Sequence, residues 1–579
     1  MPRLAFEDIR VTYTIRSEEG PRDLVAVDGV SLVLEPGSTL GLAGESGCGK
    51  STLAMSVLRL LPSNARIEGR IMLGEEDVSE LSWGRLRAVR WTSAAVVFQG
   101  AMHSLNPVQR IGDQIEEALR IHARDLDPAY REEKARRARV TELLGLVDLP
   151  QAKAASYPHE LSGGQKQRVM IAMALACEPE LIIADEPTTA LDVIVQDQVL
   201  QVLTGLVASR GLSLVMISHD LSVLASTCER IAVMQNGRIV EEGPAASVMH
   251  APQHPHTQAL AAAFPTIGDP ASRLRLPGYA AEPGVPDPDA APVLEARNVS
   301  VSFAGRGAGT VKAVDGVSIA CRRGEIVALV GQSGSGKTTL ARTLLGLQKP
   351  TGGELLFDGS PLPHRRRALK AYRRAVQFVL QDPTAALNPK HTVYESVAEG
   401  PRLHKLPGDE VQLVAAALAK AELSPAERFG PALPQELSGG QRQRVVIAGA
   451  LALDPEFLVA DEPVASLDAS VRAEILALLL RLRSELGLGA LVITHDLGLA
   501  WNIADRVVVM YQGRIVEEGP VEQVLLDPQH EYTRRLLSVV PTANGLAGGD
   551  GAGGDPAAVG EPAAVGELAA GDTAVGEPA

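Results

Sequence analysis

A chain of 579 residues is too long for one hydrophobic core, and with 45% hydrophobic residues each half can bury its own. A formal charge of −15 argues against nucleic acid as a partner, because that binding relies on clustered Lys and Arg; otherwise such acidity serves solubility. Four scattered cysteines (Cys48, Cys177, Cys228, Cys321) form no CxxC pair, so neither a zinc site nor a disulfide framework is expected and the chain reads as cytosolic.

Residues 1–20 lack the apolar core of a signal peptide, and no run of 18 apolar residues offers a bilayer span. Along the first half, short apolar runs alternate with helix-like stretches. The runs are STLGLAG (38–44), SAAVVFQ (93–99), LIIADE (181–186) and LSLVMIS (212–218). This alternation predicts a largely parallel sheet flanked by helices. Segment 110–160 is charged and helix-like, and it predicts a helical subdomain inserted into the sheet domain, with Leu143, Leu144 and Leu146 as a buried stripe.

The second half repeats the first. VDGVSLVLEPGSTLGLAGESGCGKST (27–52) answers VDGVSIACRRGEIVALVGQSGSGKTT (314–339), and LIIADEPTTALD (181–192) answers FLVADEPVASLD (457–468). LSGGQKQR (161–168) returns as LSGGQRQR (437–444). From the Ser of LSGGQ to the Glu of DEP is 24 residues in both halves (186−162; 462−438), and from that Glu to a His is 33 in both (219−186; 495−462). The interval from the P-loop Lys to the next Gln differs by five (99−50 = 49; 381−337 = 44), a difference that surface insertions absorb. The expected organisation is a first domain over 1–265, a Pro-rich extended linker over 266–292, a second domain over 293–542, and a disordered acidic Ala/Gly/Pro tail over 543–579. At ~3 Å per residue the linker reaches about 80 Å, against a radius of gyration near 18 Å for such a domain, so it permits the halves to meet in any orientation.

GESGCGKS (44–51) and GQSGSGKT (331–338) fit G-x-x-x-x-G-K-[ST], each between a strand-like and a helix-like run. Gly44, Gly47, Gly49 and Gly331, Gly334, Gly336 let backbone N–H groups converge on phosphate oxygens at a helix N-terminus. Lys50 and Lys337 would neutralise phosphates, Ser51 and Thr338 would hold Mg²⁺, and Thr52 and Thr339 complete the loop. Asp185 and Asp461 suit the metal; Glu186 and Glu462 would polarise the attacking water, strand alternation sending the neighbouring carboxylates to opposite sides. His219 and His495 are placed at the γ-phosphate by their repeated spacing. Gln99 and Gln381 end apolar runs.

This ordered set resembles the nucleotide-binding subunits of ABC transporters, over essentially residues 1–542 in two copies. The resemblance implies an α/β fold of two P-loop NTPase domains, each with a mainly parallel core, a small antiparallel β subdomain and an inserted helical subdomain, and an ATPase using ATP and Mg²⁺. It implies that Tyr13 and Phe303 stack on adenine, that Gln99 and Gln381 contact nucleotide and metal, and that 190–192 and 466–468 are D-loops. Family domains work as head-to-tail pairs. Ser438, Gly439, Gly440 and Gln441 are therefore expected to complete the site built on Lys50, and Ser162, Gly163, Gly164 and Gln165 the site built on Lys337.

FQGAMHSLNPV (98–108) and LQDPTAALNPKHTV (380–393), with PQHPHTQALAAAFP (252–265) and PQHEYTRRLLSVVP (528–541), are similar to the oligopeptide/dipeptide/nickel importer branch. That branch implies two separate membrane permeases, an extracellular substrate-binding protein, a peripheral place on the cytoplasmic face of the membrane, and peptides, nickel or glutathione as cargo. Gly100 after Gln99, where the second half has Asp382, is a departure that bears on coupling to a permease. The alternatives are a tandem ABC ATPase acting on ribosomes, disfavoured by the Pro-rich linker and acidic charge, and a phosphonate-related or export ATPase.

Overall fold

A computed structural model describes residues 2–17, 20–100, 104–189, 191–263, 265, 267–274, 290–304, 310–362, 366–465 and 467–540. Ala190 and Ser466, which open the expected D-loops, lie outside the described residues, as do 275–289 of the linker and the tail at 543–579. The chain divides into two compact units: Met1–Leu191 with Val195–Ala261, and Ala262–Thr542 with Asp192–Ile194.

In the first unit, β1 (Leu4–Ser17), β2 (Gly20–Leu34), β4 (Ala65–Leu73) and β5 (Glu76–Asp77) form an antiparallel sheet in the order β2-β1-β4-β5. A six-stranded sheet has the order β10-β9-β3-β8-β7-β6. It is built from β3 (Thr39–Ala43), β6 (Ala94–Val97), β7 (Leu181–Asp185), β8 (Ser213–Ile217), β9 (Arg230–Gln235) and β10 (Arg238–Pro244). All its pairings are parallel except β9 with β10. Every residue of β7 and β8 is buried, as expected of central strands covered on both faces and written as continuous apolar runs.

The second unit repeats this plan. β11 (Leu294–Ala304), β12 (Thr310–Cys321), β14 (Gly352–Phe357) and β15 (Ser360–Pro361) make the antiparallel sheet, in the order β12-β11-β14-β15. β13 (Ile326–Val330), β16 (Val376–Val379), β17 (Phe457–Asp461), β18 (Gly489–Thr494), β19 (Arg506–Tyr511) and β20 (Arg514–Pro520) make the other, ordered β16-β17-β18-β13-β19-β20. The two six-stranded orders are the same once corresponding strands are matched. In both units one core joins the two sheets through the first P-loop helix: Leu53 packs with Ile9, Leu42 and Ile183, and Leu340 with Val301, Leu329 and Val459.

The helical insert lies where the sequence places it, between β6 and β7 and again between β16 and β17. Helices Ile111–Ile121, Glu133–Leu146 and Gly163–Ala174 compose it in the first unit; Val393–His404, Glu410–Lys420 and Gly439–Leu451 do so in the second. The buried stripe differs from the expected one. Val140, Leu143, Leu144 and Val147 are buried, whereas Leu146 is only half-buried. The 3.6-residue period carries the apolar face from 140 through 143–144 to 147, and 146 falls beside it.

The described start of the Pro-rich stretch is packed rather than extended. Arg273 pairs with Glu522, donates to the Ala504 carbonyl (3.0 Å) and lies over the Trp501 ring, and the Trp501 indole N–H donates to the Asp269 carbonyl (3.4 Å). A cationic side chain over an aromatic face, backed by an ion pair, outweighs the extended bias of nearby prolines. All four cysteines are buried and unpaired; burial pushes the Cys177, Cys228 and Cys321 thiols up to about 12.

Candidate functional site

Each P-loop leaves the end of a central strand and enters a helix at its lysine, Lys50–Ser56 in the first unit and Lys337–Leu344 in the second. The residue before the lysine has a φ only glycine adopts easily, 107° at Gly49 and 105° at Gly336. A Cβ there would collide with the carbonyl of Ala26 or Ala313. Both lysines are buried and curl back on their own loop. Lys50 Nζ donates to the Gly44 and Glu45 carbonyls (2.8 and 2.7 Å), and Lys337 Nζ to those of Gly331 and Gln332 (2.6 and 2.8 Å). Burial holds the Lys337 pKa below its ordinary value, against the opposing fields of Glu462 and Asp461. A glycine loop that enters a helix beside a buried cation is the kind of backbone that suits a phosphate.

The loop helix meets the acidic strand end directly. Ser51 Oγ donates to Asp185 Oδ1 (3.1 Å), and Thr338 makes the equivalent bond to Asp461. Burial raises both aspartate pKa values, and these hydroxyl bonds oppose the rise. A hydroxyl beside a carboxylate is an oxygen donor pair suited to a hard divalent cation such as Mg²⁺.

Glu186 and Glu462 sit one residue further. Their separation from the aspartates does not come from strand alternation, as expected, but from a turn: β7 and β17 end at the aspartate, and the glutamates have φ of 44° and 47°. Their amides still reach across to the Ile217 and Ile493 carbonyls (3.0 and 2.9 Å), so the strained residue is fixed on the sheet while its side chain turns away. Each carboxylate is then held from both sides. Gln99 Nε2 donates to Glu186 Oε2 (2.7 Å) and His219 Nδ1 lies 3.3 Å from Oε1. Gln381 Nε2 donates to Glu462 Oε2 (2.8 Å) and His495 Nδ1 lies 3.0 Å from Oε1. Thr189 Oγ1 adds a third bond to Glu186 Oε2 (2.8 Å). Burial pushes both glutamate pKa values up, but the histidine bonds and charges, with the lysine fields, outweigh it and leave them lowered. Both carboxylates are therefore ionised at neutral pH.

Thus each unit assembles its lysine, hydroxyl, aspartate, glutamate, glutamine and histidine at the carboxyl ends of its sheet strands. Tyr13 stands against the loop helix, its hydroxyl 3.2 Å from Thr52 Oγ1, and Phe303 packs half-buried at the matching place in the second unit. The signatures belong to the helical insert. Ser162 and Ser438 are exposed N-caps of the helices Gly163–Ala174 and Gly439–Leu451, each in a capping box with Gln165 or Gln441. A Cβ at Gly164 or Gly440 would collide with Val195 or Val471, which fixes glycine there. Thr189 and Tyr511 near the sites carry no functional signal in the sequence, and Tyr532 is marked only as part of the PQHEYT branch motif.

The branch motifs have structural reasons. In LNP, Asn106 Oδ1 accepts from the Val108 amide (3.2 Å) and Asn388 Oδ1 from the Lys390 amide (3.0 Å), closing a turn after the glutamine. Asp382 accepts from the Thr384 amide (2.8 Å) and caps a short helix, which Gly100 cannot do. In PQH, Glu241 takes the amides of Gln253 and His254 (2.8 and 2.9 Å), and Glu517 those of Gln529 and His530 (2.7 and 3.1 Å). These glutamates come from the repeated RIVEEGP, so the two motifs form one folded element.

A family profile described as "ABC transporter" matches residues 27–189 and 314–465, and one described as "Oligopeptide/dipeptide transporter, C-terminal region" matches 240–289 and 516–566. The chain is 41% identical over 570 residues to the Glutathione import ATP-binding protein GsiA of Shigella dysenteriae serotype 1, covering 93% of this chain and 90% of that protein. The same protein of Escherichia coli K12 gives the same identity and coverage. Among solved structures, cbiO1 of Clostridium perfringens, part of the ABC transporter complex cbiONQ, is 32% identical over 41% of this chain and 92% of its own, with a TM-score of 0.38. Two P-loop units, two signatures and two copies of the transporter C-terminal element in one chain have a single home: the chain belongs to the ABC transporter ATP-binding proteins, as a fused pair of the oligopeptide/dipeptide type.

Proposed function

We propose that the chain is the ATP-hydrolysing subunit of a peptide-type importer, peripheral on the cytoplasmic face of the membrane, and that glutathione or short peptides are its cargo. The observation that carries the catalytic part is the ionised glutamate clamped by glutamine and histidine beside a lysine-bearing phosphate loop, present in both units. The identity to glutathione import proteins along 93% of the chain supports the cargo class. Among the described residues no helix is long and apolar enough to cross a membrane, so the translocation path falls to separate permease subunits, two in number, fed by an extracellular binding protein.

In this reading Lys50 and Lys337 leave their carbonyl partners for the β- and γ-phosphates. Ser51 with Asp185, and Thr338 with Asp461, joined by Gln99 and Gln381, would hold Mg²⁺, which would supply charge neutralisation on the phosphates. Glu186 and Glu462 orient and deprotonate water, while His219 and His495 hold the glutamates and face the γ-phosphate. Tyr13 and Phe303 stack on adenine, worth about 1–3 kcal/mol each. Ser162 and Ser438, the exposed N-caps of their helices, would offer an amide-bearing helix N-terminus to a γ-phosphate.

The test is transport in proteoliposomes that contain this chain, its permeases and the binding protein. ATP turnover stimulated by glutathione or a dipeptide supports the reading; turnover indifferent to both, with no permease recovered on purification, overturns it.

A further inference from the structure

The C-terminal element of the second unit ends on its phosphate loop. Glu517 gathers the Gln529 and His530 amides, and His530 Nδ1 accepts from the Tyr532 amide (3.0 Å), which starts the helix Glu531–Ser538. Tyr532 is thereby buried with its ring stacked on Tyr511, centroids 4.1 Å apart. Its hydroxyl accepts from the Gln332 amide (2.9 Å), and the carbonyl of the same Gln332 receives Lys337 Nζ (2.8 Å). One residue of the loop is thus held at its amide by the C-terminal element and at its carbonyl by the lysine.

The first unit repeats this frame but not the tie. His256 stands where the second unit has Tyr532, and Gln235 where it has Tyr511. Glu241 and His254 build the same support, His254 Nδ1 accepting from the His256 amide (3.2 Å). His256 Nδ1 then lies 3.2 Å from Gln235 Nε2, and its buried Nε2 has no hydrogen-bond partner among the described residues. The loop residue matching Gln332 is the acidic Glu45.

We propose that Tyr532 is a positioning residue for the second ATP site, bracing the phosphate loop through the Gln332 amide. The first site lacks this brace, so the two sites hold ATP unequally, the second more tightly. A loop fixed before ATP arrives loses less conformational freedom on binding it. The brace needs a hydroxyl at the end of a ring, which an imidazole is too short to supply, and the Glu45 carboxylate adds repulsion toward phosphate at the first site. The inference rests on the reading of 331–338 as a phosphate loop.

The experiment uses the full chain with Glu186→Gln and Glu462→Gln, so that ATP binds without turnover. Adding Lys50→Ala isolates the second site, and adding Lys337→Ala the first. Tyr532→Phe keeps the ring and its stacking and removes only the hydroxyl. It should weaken ATP binding at the second site about twofold to tenfold, with the first site unchanged and the nucleotide-free melting temperature lowered by only about 2–4 °C, the effect of one neutral hydrogen bond. The reciprocal Gln235→Tyr/His256→Tyr chain should tighten the first site. Unchanged affinity in Tyr532→Phe, or equal weakening at both sites, sinks the brace alone. If Lys337→Ala leaves the second site binding ATP normally, the phosphate-loop reading falls and the brace with it.

Discussion

The two carboxylate sites are alike in their backbone and unlike in what surrounds them. In both, a left-handed residue at the strand end carries the glutamate, and a glutamine and a histidine grip it from opposite sides. Around that shared centre the side chains diverge: Thr189 against Ala465, Cys48 against Ser335, Glu45 against Gln332, His256 against Tyr532. The comparison teaches that the glutamate is placed by main-chain geometry and its clamp, while the groups around it are where the two sites differ. Two competent but unequal sites are the expected consequence.

The most damaging change removes the bases. Glu186→Gln with Glu462→Gln should slow hydrolysis on the order of 10²–10⁴-fold while ATP still binds. Each single substitution then weighs one site against the other. Steady-state phosphate release measures both, and wild-type turnover in the double variant would remove the general-base assignment. Next in size are the lysines. Lys50→Ala or Lys337→Ala deletes charge-assisted bonds of roughly 1.5–3 kcal/mol each, so ATP affinity at that site should fall by at least tenfold in equilibrium titration. Unaltered affinity after either change would contradict the loop assignment.

The fold and the inner site were legible because they obey short-range rules. Buried parallel strands are written as apolar runs, G-x-x-x-x-G-K-[ST] is forced by close backbone approach, and duplication at equal spacing marks which Glu, His and Ser belong together. What could not be read lies in contacts between segments distant in sequence. The turn at Glu186 shows no local glycine to announce it, because its strain is held by the Ile217 carbonyl. Tyr532 reaches a loop 200 residues away. The folding of 267–274 onto Trp501 likewise depends on Arg273 finding Glu522, which proline content alone does not reveal.

A smaller effect tests the histidine. Burial lowers the His495 pKa, but the Glu462 bond and charge and Asp496 outweigh it and raise it above 6.5, while Glu462 is held below 4.5. The histidine's contribution is complete below pH 6.5 and is lost as pH rises through the raised value. The glutamate's is complete above 4.5 and is lost as pH falls through the lowered one. The pair therefore stabilises most between these values. With His495 about a third exposed, the contribution is of order 1 kcal/mol or less, or about 2–4 °C in a domain of this size. The melting-temperature gap between the parent and His495→Ala should be widest near pH 5.5 and should narrow toward pH 9; a gap that grows with pH would reverse the assigned charge state.

The finest distinction between the sites is Thr189. Its hydroxyl is one of the bonds that lower the Glu186 pKa, and Ala465 offers the second site nothing equivalent. Thr189→Ala leaves the glutamine and histidine clamp in place, so the rate at the first site should fall only about twofold to tenfold. The more telling readout is the acid limb of the pH–rate profile, measured with Glu462→Gln silencing the second site. Losing a bond to the ionised carboxylate raises its pKa, so the limb should move to higher pH. Ala465→Thr, read with Glu186→Gln silencing the first site, should move it to lower pH. Opposite shifts from two single-residue exchanges would locate the difference between the sites in one hydroxyl, and a limb that stays put in both would show that the histidine and lysine set the charge of the glutamate without it.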